Sequence, residues 1–108
     1  MTPIQKIKKD RLVSADWRVG EGADFLELSA EETAFVELKL ALADYLRKVR
    51  ADRGWTQSEV AHQLRSSQSR VAKMEAADAS VSVDLLVKSL LTLGATRRDV
   101  GLVIAQAA

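Results

Sequence analysis

The chain has 108 residues, 47% of them apolar and 29% charged, with a formal net charge of +1. That is enough for one domain of ordinary size and too little for two. The absence of cysteine excludes a disulfide framework and thiolate metal sites, and the single histidine, His62, cannot build a metal cluster alone. No apolar run reaches the roughly 18 residues that suggest a membrane span. The N-terminus, MTPIQKIKKDRL, is basic with no apolar core behind it, so it does not read as a secretory signal. The expectation is a cytoplasmic protein without a membrane segment.

The near-neutral total hides a division along the chain. Between Glu21 and Asp44 seven acidic residues face only Lys39. Between Arg47 and Lys73, the cations Arg47, Lys48, Arg50, Arg53, Arg65, Arg70 and Lys73 outnumber Asp52 and Glu59. Such a positive segment suits phosphate binding. Solvated helix faces would give the same pattern, so charge alone leaves the choice open.

Residues 1–28 lack helical periodicity over most of their length and contain Pro3 and Gly20, which predicts an N-terminal arm, partly flexible. Trp17 is expected to pack on the domain or on a partner, and Phe25, Leu26 and Leu28 form a small apolar cluster. Residues 29–108 then read as one domain. Ser29-Ala30-Glu31-Glu32 is a capping box, in which the serine hydroxyl and the Glu32 carboxylate each accept the other's backbone amide. Phe35, Leu38, Leu42, Tyr45, Leu46 and Val49 follow at helical spacing as a buried stripe, and Val36 and Leu40 widen it to a second face. Gly54 is a natural stop, which predicts a helix over about 30–53.

Thr56-Gln57-Ser58-Glu59 is a second capping box and opens a short helix with Val60, Ala61 and Leu64 facing inward. Arg65-Ser66-Ser67 is a tight turn with Ser67 as the next N-cap, and a helix from Gln68 to about Ala76 buries Val71 and Met74. Ser82 caps a fourth helix carrying Leu85, Leu86, Leu90, Leu91 and Leu93, ended by Gly94. Thr96-Arg97-Arg98-Asp99 starts a fifth, with Leu102, Val103 and Ile104. No stretch alternates with period two. The expected fold is all-α with about five helices.

The segment 56–75 has the dimensions of a helix-turn-helix: a support helix, a three-residue turn and a recognition helix. Ala61 is small where the two helices cross, and Leu64, Val71 and Met74 fill the wedge between them. Gln68, Ser69 and Arg70 open the recognition helix and are the expected base-reading residues. Glutamine matches the N6 and N7 of adenine, and arginine the O6 and N7 of guanine. Gln57, Arg65, Ser67 and Lys73 are the expected phosphate contacts. Two capped helices with a tight turn also occur in bundles that never touch DNA, so a helical interaction module is the rival of another class.

The segment from Leu46 to Gly94, including RADRGWTQSEVAHQL, SSQSRVAKME and SVDLLVKSLLTLGA, resembles the Cro/C1-type (XRE) helix-turn-helix domains of phage repressors. It is most similar to a subgroup, the HigA-like antitoxins, in which this domain partners a HigB/RelE-like mRNA-cleaving toxin. Trp17-Arg18-Val19-Gly20, Asp24 to Ser29, and the tail Leu93 to Asp99 carry that closer likeness. The resemblance implies a lambda-repressor-like domain with an extended N-terminal arm. It also implies a repressor of its own operon that serves as an antitoxin, or else a stand-alone or phage-type regulator. In the family's turn, glycine usually stands where this chain has Arg65, because the backbone there tends to positive φ. An apolar residue often stands where it has Ser66.

A homodimer is expected, because one recognition helix reads too few base pairs and two set one DNA turn apart read a palindrome. The apolar Leu102, Val103 and Ile104 are the expected dimer interface. Trp17, Phe25, Glu31 and Glu32 are the expected toxin contact, since an acidic patch steers a basic partner. His62 lies among polar neighbours and reads as solvated, and Trp55 reads as core. No carboxylate pair has a positioned partner for acid–base work, so an enzyme is not expected, nor a cofactor or metal.

Overall fold

The computed structural model describes residues 28–107. Among them are five helices and no strand: α1 (Ala30–Asp52), α2 (Gln57–Gln63), α3 (Gln68–Glu75), α4 (Val83–Thr92) and α5 (Arg97–Gln106). The chain is all-α as expected, and each helix begins where a side-chain cap invites it. Ser29, Thr56, Ser67, Ser82 and Thr96 each accept the amide three residues on, and Glu32, Glu59 and Asp99 complete reciprocal boxes at α1, α2 and α5. Those backbone and hydroxyl donors hold the Glu32 and Asp99 carboxyls below their ordinary pKa values.

The helix ends share one device. After α1 the amide of Trp55 returns to the Arg50 carbonyl, after α2 Ser66 to Ala61, after α3 Asp78 to Lys73, and after α4 Ala95 to Leu90. This six-to-one bond places the residue before each donor in the left-handed region. Gly54 (φ 68°) and Gly94 (φ 103°) occupy it without strain, whereas Arg65 (φ 54°) and Ala77 (φ 53°) do not. A side chain in that region costs about 1–2 kcal/mol, and glycine returns about 0.4–1 kcal/mol of entropy to the unfolded chain. Arg65→Gly is therefore expected to raise stability by about 0.5–1 kcal/mol, read as a higher midpoint in urea. Ala77→Gly should gain less, because the Ala77 methyl packs against the core.

Long α1 is the spine against which α3, α4 and α5 pack, and α2 packs chiefly on α3. Leu42, Leu46 and Val49 of α1 meet Val60 and Ala61, Val71 and Met74, Leu86 and Leu90, and Val100 in a single core. Trp55 lies against it, half-buried, as the sequence predicts. The predicted α1 stripe needs one correction. Phe35 is 55% exposed, while Leu40, assigned to a second face, is buried at 2%. The reason is longitudinal: Ala30 to Phe35 are all exposed, and the core contacts of α1 begin only at Leu38. From α1, Lys39 Nζ donates to the Asp78 carbonyl at 3.0 Å and fastens the loop that follows α3.

Candidate nucleic-acid interface

The α2–turn–α3 unit is held from below by apolar side chains. Val60, Val71 and Met74 are at most 1% exposed and Ala61 4%, with Leu64 half-buried against them. Arg65 takes the left-handed conformation expected at the glycine position, and the turn closes with the same pair of backbone bonds as the glycine-ended helices. Ser66 leaves that geometry regular.

Polar contacts then fix α3 relative to the spine. Glu75, at the end of α3, is buried, with its side chain only 5% exposed. Arg50 of α1 grips it bidentately, Nε to Oε2 at 2.6 Å and a terminal nitrogen to Oε1 at 3.1 Å. Gln57 Nε2 donates to the same Oε1 at 3.1 Å. The freed end of Gln57 is its carbonyl, and Gln68 Nε2 donates to it at 2.6 Å. A continuous line of hydrogen bonds thus runs Arg50–Glu75–Gln57–Gln68, from the core side of α1 to the exposed first residue of α3. Each member dictates the orientation of the next: a carboxylate can only accept, so Gln57 must present its amide to Glu75 and its oxygen to Gln68. Among the described residues no buried side-chain nitrogen or oxygen lacks a partner.

With about 100° between successive residues, the buried face of α3 is defined by Val71, Met74 and Glu75. Ser69 and Lys73 then point outward within roughly 40° of each other. Gln68 lies on one flank of that line, beside Gln57. Arg70 lies on the other, turned toward α4. Gln68, Ser69, Arg70 and Lys73 are all exposed. The sequence-based expectation grouped Arg70 with the base readers and Lys73 with the phosphate contacts; on the helix, Lys73 shares the outward line with Ser69 and Arg70 does not. Ser67 is spent as the N-cap of α3, and its hydroxyl also lies 3.2 Å from that of Ser69.

The basic run from Arg47 to Lys73 divides in two. Arg50 serves Glu75, Arg47 donates to the Glu75 carbonyl at 3.3 Å, and Lys48 pairs with Asp52 at 3.2 Å. Arg53 donates to the Leu93 carbonyl at the end of α4 and stacks over Trp55 with 5.0 Å to the ring centroid. The three arginines belong to the scaffold, Lys48 sits in an exposed pair along α1, and only the cations from Arg65 onward lie in the helix-turn-helix. The roles of Arg50 and Glu75 were missed in the sequence. The available signal was Glu75 standing four residues after Val71 and next to Met74, within an apolar frame.

Of the expected dimer residues, Leu102 and Ile104 are 48% and 37% exposed, while Val103 turns inward and packs against the core. Of the expected toxin contacts, Glu31 and Glu32 are exposed on the first turn of α1, and Trp17 and Phe25 lie outside the described residues. His62 is exposed. No described helix is long and apolar enough to cross a membrane.

Two short capped helices, a tight left-handed turn and an exposed polar N-terminus on the second define a helix-turn-helix domain, the kind that DNA-binding regulators carry. A family model described as a helix-turn-helix domain matches residues 41–107. The chain belongs to that family, in its XRE/Cro-like form. Comparison with curated proteins and with solved structures gave no match.

Proposed function

We propose that the protein is a sequence-specific transcriptional regulator that binds operator DNA as a homodimer, and that it is the antitoxin of a HigB/RelE-like toxin whose operon it represses. The observation that carries the DNA-reading part is Gln68, exposed at the start of α3 yet held at 2.6 Å by Gln57. A base-reading amide needs that combination, because a side chain fixed before binding loses less entropy on binding. Ser69 and Lys73 complete the outward surface toward the base edges, and Gln57 with the α2 N-terminus meets a phosphate. Pairing of two copies through Leu102 and Ile104 would remove exposed apolar surface and set two recognition helices on one palindrome. In this reading the chain works in the cytoplasm, without a cofactor, and catalyses nothing.

The antitoxin role rests on the likeness of the leader and of the tail Leu93 to Asp99. It is supported by the projecting acidic turn of α1, where Glu31 and Glu32 stand exposed beside Phe35. Co-expression with the product of the neighbouring gene tests it. Co-purification as a stable complex, weakened by charge reversal at Glu31 and Glu32, is the expected result. If no neighbouring gene encodes a partner of toxin size, or the two products elute apart, the stand-alone regulator replaces the antitoxin.

A further inference from the structure

Beside the recognition helix a half-open groove of about 270 Å³ runs between the turn, α3 and α4. Leu64 and Met74 form its floor, and Arg65, Arg70 and Lys88 stand exposed around it. Arg65 and Arg70 come from the turn and the adjoining α3, and only the fold brings Lys88 of α4 beside them. Arg65 holds its place in a backbone conformation that penalises any side chain. Among the described residues Lys88 is engaged only by Asp84, in a pair at 3.2 Å whose side chains are 74% and 76% exposed. Such a pair is weak and readily exchanged for another anion.

The groove's direction relative to α3 limits what fills it. An α-helix about 10–12 Å across fills a major groove about 12 Å wide. The two flanks of the helix then face the two sugar-phosphate walls. Gln57 lies on one side of the helix tip at which Gln68 is exposed, and Arg70 with the groove lies on the other. We infer that Arg65, Arg70 and Lys88 form a phosphoryl-binding site that grips a backbone phosphodiester on the wall opposite the one met by Gln57. This rests on the DNA-reading proposal and adds a contact from α4, outside the helix-turn-helix. It assigns Arg70 to the phosphate set. The same chemistry would accept a free phosphate, and the experiment separates the two.

The test uses the full chain and two duplexes of equal length, the region upstream of its gene and a scrambled sequence, with affinity followed across about 50–200 mM salt. Lys88→Ala and Arg65→Gly are each expected to weaken both duplexes alike and to make the salt slope shallower by about 0.9. Arg65→Gly should do so while raising the unfolding midpoint, and a merely structural role would move both readouts the same way. Asp84→Asn, which frees Lys88, should not make the slope shallower. Unchanged slopes in both Lys88→Ala and Arg65→Gly would overturn the inference. It would also fall if millimolar inorganic phosphate shifted the Ser66 and Thr92 amide resonances in a Lys88-dependent way while those slopes stayed fixed, since the site would then belong to a soluble anion. A wild-type chain that binds neither duplex would sink the DNA reading itself and this contact with it.

Discussion

Replacing Arg50 by Met is expected to destabilise the fold by about 3 kcal/mol, the lower end of the roughly 3–5 kcal/mol for breaking a buried ion pair. The loss comes from what remains: the Glu75 carboxylate is 5% exposed and, among the described residues, would keep only Gln57 as a side-chain donor. The lower end applies because the Arg50 side chain is itself 22% exposed, so water can reach part of the vacated space. Urea unfolding followed by circular dichroism measures it. The double variant Arg50→Met with Glu75→Leu should return to within about 1 kcal/mol of the parent, because an apolar pair of similar volume avoids the desolvation cost. That rescue should not extend to DNA. Without Glu75, Gln57 has no acceptor for its amide and loses the orientation that presents its oxygen to Gln68. Restored stability with weakened operator binding would separate the two roles of the buried line.

The second large effect is on recognition. Gln68→Ala removes the proposed base-reading group and should cost about 1–3 kcal/mol on the specific operator, roughly 5- to 150-fold in affinity. The loss should centre on one base pair, and binding to scrambled DNA should barely change, since the phosphate contacts remain. The fold should be little affected, because Gln68 is exposed and its hydrogen bond to Gln57 is a surface one. Gln57→Ala should produce a milder loss with relaxed base preference, because Gln57 acts through the rotamer of Gln68 in addition to any phosphate contact of its own. Equal losses on operator and scrambled DNA in Gln68→Ala would place that residue among the phosphate contacts.

Much of the architecture was legible because it is written in local chemistry. Capping serines and threonines, the Glu32, Glu59 and Asp99 partners and the stops at Gly54 and Gly94 act within a few residues, so the helix starts and ends follow from the sequence. Arg65 was legible through the resemblance: glycine usually stands at its place in the family's turn, which marks a left-handed position whatever side chain occupies it. Ala77 meets the same demand, but its left-handed conformation was invisible although the helix end before it was read, since alanine is the strongest helix former and does not mark such a position. Phe35 was misplaced because periodicity shows which side of a helix is apolar and not how far along it the neighbours reach.

The line Arg50–Glu75–Gln57–Gln68 was beyond local reading. Arg50 and Glu75 lie 25 residues apart, and their pairing exists only once α3 is laid across α1. Charged residues in helices face water by default, so Arg50 was grouped with a basic surface when it is half-buried against Glu75. Arg70 and Lys73 show a subtler limit. Both are exposed cations on one short helix, and residue type did not show which would lie outward, although the expected burial of Val71 and Met74 already constrained it. The buried positions Val71, Met74 and Glu75 orient the helix and so separate the two.

In the proposed function Gln68, held by Gln57, reads an operator base. Equilibrium binding of the parent chain and Gln68→Ala, at one fixed salt, to the region upstream of the gene and to a scrambled duplex tests it most directly. The parent is expected to prefer the upstream region by about 10³ or more, and Gln68→Ala to lose much of that preference while its affinity for scrambled DNA stays nearly the same. A parent chain that binds the two duplexes equally, or a Gln68→Ala variant with its preference intact, would contradict it.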